Sequence, residues 1–489
     1  ITFLNFKKLL SLHEHTIHNV RIFVIKIMLT NLLEGCNVRK RNNQSEKLRF
    51  IEMNPARVLI LGFLILIGIG TLLLMIPAAT QDRHHLSFVD ALFEATSAVC
   101  VTGLVVVDTQ TTFTTFGQMI LMVLIQIGGL GFMIFSVLIA LLLGKNIGLR
   151  NRLRIHETYN QLSLDGMIKL VKFILLFTLS VEALGTIALT IRWISEFGFT
   201  QALFYGIFHS ISAFNNAGFD LMGNYQSMTA YVGDGPIILT LSSLVIIGGI
   251  GYIVMLEIFR EKSFKNLSLH TKIVLIMTIG LNVVGTILFF LLEFRNSGTL
   301  DNLSFKDQML GSYFHAVVPR TAGFNSVEMG ELTLGSQVMT MLYMFIGGGS
   351  GGTAGGIKVT TFALILLAVW AIIKGDNDIN ILHRRIPKEL ILKAFTITIF
   401  SGCIVFFILF ILTMTEKAPL NVLMFEVFSA FGTVGMSMGL TPELSTAGKL
   451  VITTLMFLGR VGPLTLAFAL TKRNSKVKWK NPEEKIMIG

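Results

Sequence analysis

Thr321-Ala322-Gly323-Phe324 is a short polar turn between two long apolar stretches, and the chain carries three variants of it. These are Val101-Thr102-Gly103-Leu104, Asn216-Ala217-Gly218-Phe219 and Thr433-Val434-Gly435-Met436. The glycines recur at intervals of roughly 105–115 residues, too long for a solenoid and suited to a duplicated two-span unit. Glycine permits dihedrals that aim consecutive carbonyls the same way. Four such turns about one axis make a carbonyl ring that can replace the water shell of a cation. The expected path for a monovalent cation, K+ above all, is lined by Val101, Thr102, Gly103, Asn216, Ala217, Gly218, Thr321, Ala322, Gly323, Thr433, Val434 and Gly435. K+ is the only metal expected there. Glycine in membrane helices also serves plain packing, but four turns at one place in four units favour the ring.

Composition points the same way. Of 489 residues, 53% are hydrophobic and only 14% charged, with a mean hydropathy of +0.71, whereas a soluble domain carries about 25% charged residues. Several apolar runs reach the roughly 20 residues that cross a bilayer. This argues against a soluble globular protein and for an all-α polytopic membrane protein in a lipid bilayer. The net charge of +11 does not imply nucleic acid as a partner, because Lys and Arg cluster in short loops on one side of the spans. Cys36, Cys100 and Cys403 are far apart and form no metal or disulfide pattern.

Each unit reads as span, re-entrant segment, span. First spans are expected near 57–77, 170–192, 272–293 and 391–414, and second spans near 115–143, 236–259, 336–373 and 449–471. The divisions are 1–54, an amino-terminal extension; 55–150, 151–265, 266–385 and 386–472, four units; and 473–489, a tail. The first segment opens on Ile1 and carries Met28 and Met53; it is expected to be cytoplasmic or outside the working protein. The connections between units are rich in cations, among them Arg150, Arg152, Arg260, Lys262, Arg384 and Arg385. The opposite side has few, such as Arg83, Lys306 and Lys417. Both termini are therefore expected in the cytoplasm. All four units enter the membrane in the same direction, giving eight transmembrane helices in four parallel repeats around a pseudo-fourfold pore, unlike inverted-repeat carriers.

Apolar helix-length stretches precede the glycines: Phe88 to Ala98, Ala202 to Phe214, Gln308 to Val317 and Val422 to Phe431. Helices of about ten residues reach only part-way into a bilayer, and the irregular backbone that follows must line water or be buried in protein. The second spans carry a further echo in Gly128-Gly129-Leu130-Gly131, Gly248-Gly249-Ile250-Gly251, Gly347-Gly348-Gly349-Ser350 and Gly459-Arg460-Val461-Gly462. Packing explains most of these glycines. In the third unit the echo lengthens through Gly347, Gly348, Gly349, Ser350, Gly351, Gly352, Thr353, Ala354, Gly355 and Gly356 to Lys358. At about 1 kcal/mol per interior glycine relative to alanine, such a run breaks the helix. It is either a passive kink or a mobile gate under the ring.

Arg460 stands in mid-span, where a charge marks function by default. It is expected to face the pore beneath the ring, beside the third-unit loop. Intramembrane Glu182 is expected to partner a basic group. Asp108, Asp220, Asp234, Glu328 and Glu331 lie near the turns on the outer side, as cation attractors or as solvated loop charges. His13, Glu14, His15 and His18 resemble a metal set but fall in the extension. No enzyme motif stands in a suitable setting, and a non-enzyme is expected.

Together with Ala98-Val99-Cys100, Ala213-Phe214-Asn215, Pro319-Arg320 and Leu458-Gly459-Arg460-Val461-Gly462-Pro463, these motifs make the chain from about Pro55 to Gly489 closely resemble the Trk/Ktr/HKT superfamily of potassium transporters. Within it, the resemblance is to the membrane subunit of bacterial Ktr systems. The resemblance implies that the four glycines form a simplified selectivity filter, that the third-unit loop gates, and that Arg460 restricts the pore. It also implies a homodimer in the bacterial plasma membrane, seated on a cytoplasmic ring of nucleotide-binding, RCK-type regulatory subunits. K+ would be the transported ion and Na+ an activator, with no cofactor in this chain. The alternative to a channel-like K+ uptake pore is a carrier or symporter that occludes its ion.

Overall fold

The computed structural model describes residues 55–81, 85–144, 164–376, 378–382 and 384–462. The chain divides into Ile1–Asn54 and Pro55–Gly489. The extension with its His13–His18 group and Cys36, the basic connection 145–163, Arg83 and the tail 473–489 lie outside the described residues.

Helices dominate. In order they are α1 (Pro55–Leu74), α2 (Phe88–Val99), α3 (Thr115–Gly144), α4 (Leu164–Phe214), α5 (Gly235–Ile250), α6 (Tyr252–Glu261) and α7 (Leu269–Glu293). Then come α8 (Phe305–Val317), α9 (Leu334–Phe345), α10 (Val359–Lys374), α11 (Lys388–Thr415), α12 (Leu420–Gly432) and α13 (Thr446–Val461). Two-residue strands at Asn380–Ile381 and Arg384–Arg385 pair antiparallel. The short helices start where the sequence offers caps. The Ser87 hydroxyl accepts from Asp90 N at 3.1 Å and donates to its carboxylate at 2.7 Å, and Ser304 treats Asp307 likewise. Each cap satisfies a free N–H and sets an acid at the positive helix end.

Val171–Phe214, Leu269–Glu293 and Lys388–Thr415 are each long and apolar enough to cross a membrane, as are α5 and α6 taken as one pair bent by 96°. On these helices Leu176, Leu184, Ile191, Phe406 and Met414 are 65–74% exposed. Leaving such side chains in water forgoes about 1.5–3 kcal/mol each, so this apolar belt is a lipid-facing surface. Phe63, Phe93, Trp193, Phe208, Phe289 and Phe314 fill the interior instead.

One break differs from the sequence reading. The stretch 236–259, expected as a continuous span, is interrupted at Gly251, whose φ is 109°. The cause is a neighbour: a Cβ on Gly251 would lie 2.6 Å from the Ser350 carbonyl oxygen. In the second unit, α4 holds two helices, the first span and the re-entrant stretch, separated by a kink at Gly198 (φ 74°, ψ 167°). Between α9 and α10, residues 346–358 are non-helical. The ends of this loop are tied by Gly347 N donating to Ile357 O at 2.9 Å and Val359 N to Gly348 O at 3.0 Å.

Candidate functional site

The four glycine turns meet. α2, α4 and α12 each end with the N–H groups of the next residues folding back, as in Val101 N to Ala98 O at 3.1 Å and Thr102 N to Ser97 O at 2.8 Å. This helix stop requires a left-handed residue. Val101, Asn216, Thr321 and Thr433 have φ of 52°, 57°, 80° and 50°, and the glycines two residues on have 88°, 72°, 80° and 99°. Thr102, Ala217, Ala322 and Val434 between them stay on the ordinary side. Alternating handedness turns successive carbonyls to one side of the chain.

The glycines also close on one another. A Cβ on Gly103 would lie 2.3 Å from Ala217 O; on Gly218, 2.8 Å from Ala322 O; on Gly323, 2.6 Å from Val434 O; and on Gly435, 2.3 Å from Thr102 O. The circuit returns to its start, and no side chain fits anywhere in it.

Polar groups behind the turns hold them, and the sequence reading passed over these groups. Gly103 N donates to Ser97 Oγ at 3.0 Å and Gly435 N to Ser429 Oγ at 3.1 Å. Nine residues before the first, second and fourth glycines stand Glu94, His209 and Glu426, all fully buried. Glu94 accepts from Val106 N and Val107 N at 2.8 and 3.3 Å. His209 Nε2 accepts from Leu221 N at 3.2 Å, which leaves Nδ1 to donate to Tyr205 O at 2.7 Å. Glu426 accepts from the Ser437 and Thr441 hydroxyls. The constant offset from each glycine was the available signal. The third unit has Phe314 at that place.

On the side of the residues that follow the glycines lies a cavity of about 430 Å³, floored by Gly103, Gly218, Gly323 and Gly435 and lined by Asp108, Asp220, Glu328 and Glu443, with no Lys or Arg among the described residues. Asp234, expected here, instead binds Arg192 at 2.5 Å and caps α5 through Ile237 N. Glu331 is also absent from the lining, and Glu443 takes a place the sequence reading missed. Burial pushes the Asp220 carboxyl up to about 6, against the hydrogen bond from Met222 N and with help from the Asp108 charge.

Residues before the glycines face the 346–358 loop. Thr353 Oγ1 donates to Asn216 Oδ1 at 2.8 Å. A Cβ on Gly355 would lie 2.1 Å from Thr433 Oγ1. Gly349 N donates to Gly249 O at 2.8 Å, Thr353 N to Gly248 O at 3.3 Å, and Tyr252 N to Gly351 O at 3.2 Å. Close approach leaves no room for side chains on Gly347, Gly348 and Gly352 either. Ser350 Oγ meets Thr360 Oγ1 at 3.1 Å, and Gly356 takes φ 60° to turn the chain back. Lys358 Nζ donates to Ala354 O at 2.6 Å. Arg460, 7% exposed, crosses from α13 to donate to Thr353 O and, at 2.8 Å, to Gly128 O. The glycine echo has a local reason: Cβ atoms on Gly128, Gly248 and Gly459 would sit 2.1, 1.8 and 2.1 Å from the carbonyls of Val99, Phe214 and Phe431.

Among the described residues, Glu182 has no basic partner. Gln126 Nε2 and Asn215 Nδ2 both donate to it at 3.2 Å, so the expected ion pair is replaced by a neutral amide pair.

A sequence model of the TrkH family, described as a cation transport protein, matches residues 19–480, beginning inside the segment set apart as an extension. The chain is 48% identical to the Ktr system potassium uptake protein B of Bacillus subtilis over 90% of this chain and 98% of that protein. It is 41% identical to the protein of the same name from Vibrio alginolyticus (88% and 94%). It is 39% identical to the potassium/sodium uptake protein NtpJ of Enterococcus hirae (89% and 98%). The crystal structure of the potassium transporter TrkH from Vibrio parahaemolyticus superposes with a TM-score of 0.69 at 20% identity, covering 89% of this chain and 87% of that one. The chain belongs to the TrkH family of cation transport proteins and is a membrane subunit of the Trk/Ktr superfamily.

Proposed function

We propose that this chain takes up K+ through a channel-like pore formed by eight spans in four parallel units, with the four glycine turns as its filter and the 346–358 loop with Arg460 as its gate. The observation that carries this reading is the closed circuit of glycines with left-handed backbone at alternate positions, set at the floor of an acidic cavity. Its carbonyls, and the buried hydroxyls of Thr102, Thr321 and Thr433, which have no hydrogen-bond partner among the described residues, supply oxygen ligands of the kind K+ exchanges for water. Loop and arginine lie on the far side of the same ring and put two cations, Lys358 and Arg460, in the path of a third.

Basic inter-unit connections put both termini in the cytoplasm of a bacterial cell. A nucleotide-binding ring there, of the RCK type, would move the loop of each protomer in a homodimer, with Na+ as a stimulating ion. The relatives' names speak of a potassium uptake system and, for NtpJ, of sodium as well as potassium. An occluding carrier is the second reading, favoured by the bond from the loop's Thr353 to Asn216 in the ring and by the bond from Arg460 to the same loop residue.

Uptake of K+, Rb+ and Na+ in cells lacking their own K+ uptake tests the filter. Gly103→Ser and Gly323→Ser, which force the ring backbone to shift, should lower flux and admit Na+ in the flux that remains; full retention of K+ preference would remove the filter assignment. Saturating flux with fixed ion coupling would favour the carrier.

A further inference from the structure

Three residues before the second and third filter glycines stand Asn215 and Arg320, both pointing away from the ring toward the preceding long helix. Asn215 Nδ2 donates to Glu182 on α4 at 3.2 Å and to Gln126 Oε1 at 2.7 Å. Arg320 Nη1 donates to Asn282 Oδ1 on α7 at 2.9 Å. The two acceptors hold one place in a shared pattern. Glu182-Ala183-Leu184-Gly185-Thr186-Ile187 aligns with Asn282-Val283-Val284-Gly285-Thr286-Ile287. The common glycine lies against the short helix in both: a Cβ on Gly185 would meet Ser210 Oγ at 2.7 Å, and one on Gly285 would meet the Ala316 methyl at 2.9 Å.

We infer that Asn215 and Arg320 are positioning residues for ion selection, each tied by the residue at the same place on the preceding span, Glu182 or Asn282. The inference rests on the filter reading above. The charged member has changed sides between the two pairs, acid on the span in one and base at the ring in the other, while the bond across the gap is kept. Among the described residues neither Glu182 nor Arg320 makes an ion pair, and all four groups are buried.

Each ring-side member immediately precedes a left-handed residue, Asn216 at φ 57° and Thr321 at φ 80°. Such conformations persist only when the surroundings over-determine them. Fixing the residue before them is therefore a way to fix where the carbonyls of Asn216 and Thr321 point. The first and fourth turns have Cys100 and Gly432 at this place, which cannot make the same bond. The ties act on one half of the ring.

The test is a double-variant cycle read as the ratio of Rb+ to Na+ uptake, which does not depend on how much protein reaches the membrane. Asn282→Leu leaves the guanidinium only its long bond to Thr278 O at 3.5 Å, and Arg320→Met leaves the Asn282 amide without its donor. Each should lower the ratio about tenfold. The doubly apolar variant should be no worse than either single change, because removing both partners strands neither. Asn282→Asp and Glu182→Gln, which keep an acceptor, should hold the wild-type ratio, and Glu182→Leu should not. Less folded protein with an unchanged ratio, or additive losses in the double variant, would overturn the positioning role. Gly323→Ser runs alongside: if it shifts the ratio and the tie variants do not, the ties are wrong and the filter stands. If Gly323→Ser also leaves the ratio alone, both fall.

Discussion

Arg460 reaches from α13 to the Thr353 carbonyl in the middle of the loop between α9 and α10, and its other terminal nitrogen holds Gly128 O at 2.8 Å. One side chain thus ties the loop to two further elements. Hydrogen bonds from a charged donor contribute about 1.5–3 kcal/mol each. Arg460→Met keeps an unbranched apolar stem, ends short of the guanidinium, and removes all three bonds, to Thr353 O, Gly128 O and Gly129 O. If the loop closes the path, Rb+ uptake at equal protein amount should rise about tenfold. Unchanged uptake would mean that Arg460 does not hold the gate.

Gly251 tests the other side of the loop. Its φ of 109° is one that L side chains rarely adopt, and its Cβ would stand 2.6 Å from Ser350 O. Gly251→Ala should cost about 1–3 kcal/mol, seen as a lower melting temperature of the purified protein and as flux that responds less to any regulator. Gly68→Ala is the control, since nothing lies within 4 Å of that position. There the substitution should be neutral or stabilise α1 by about 0.5–1 kcal/mol. Equal effects from the two alanines would remove the argument from the Gly251 contact.

Much of this was legible beforehand because it is written locally. The re-entrant helices announce themselves by length, the turns by glycine, and the third-unit break by an unbroken run of small residues. What escaped depends on partners distant in sequence. Gly248-Gly249-Ile250-Gly251 reads as ordinary packing until Gly349 and Thr353 are seen donating to its carbonyls. Glu182 invites a cation because an isolated carboxylate in a span is costly; two amides 56 and 33 positions away meet it instead. Asp234 and Glu443 exchange expectations for the same reason, since loop charges near a turn in sequence need not line its mouth.

Glu94 separates acceptor from charge. Its carboxylate oxygen Oε1 receives both Val106 N and Val107 N in a fully buried site. Glu94→Leu strands two N–H groups, each at a cost of about 1–3 kcal/mol, and should lower both the melting temperature and the Rb+ to Na+ ratio. Glu94→Gln retains a carbonyl acceptor and should stay close to the wild type in both. A glutamine variant as impaired as the leucine variant would show that the negative charge, and not the bond to the chain after Gly103, is what matters.

Asp220 gives the cavity a pH dependence whose sign is fixed. Burial raises its carboxyl to about 6, so the group is charged above that pH and neutral below it. The acidic lining concentrates cations while Asp220 is ionised, and that contribution fades as pH falls through about 6. Half-saturating K+ should therefore rise a few-fold between pH 7.5 and pH 5, more at low ionic strength, where screening is weaker. Asp220→Asn should already show the weaker apparent affinity at pH 7.5 and lose most of the dependence on pH. A slope preserved in Asp220→Asn would take the titration away from Asp220.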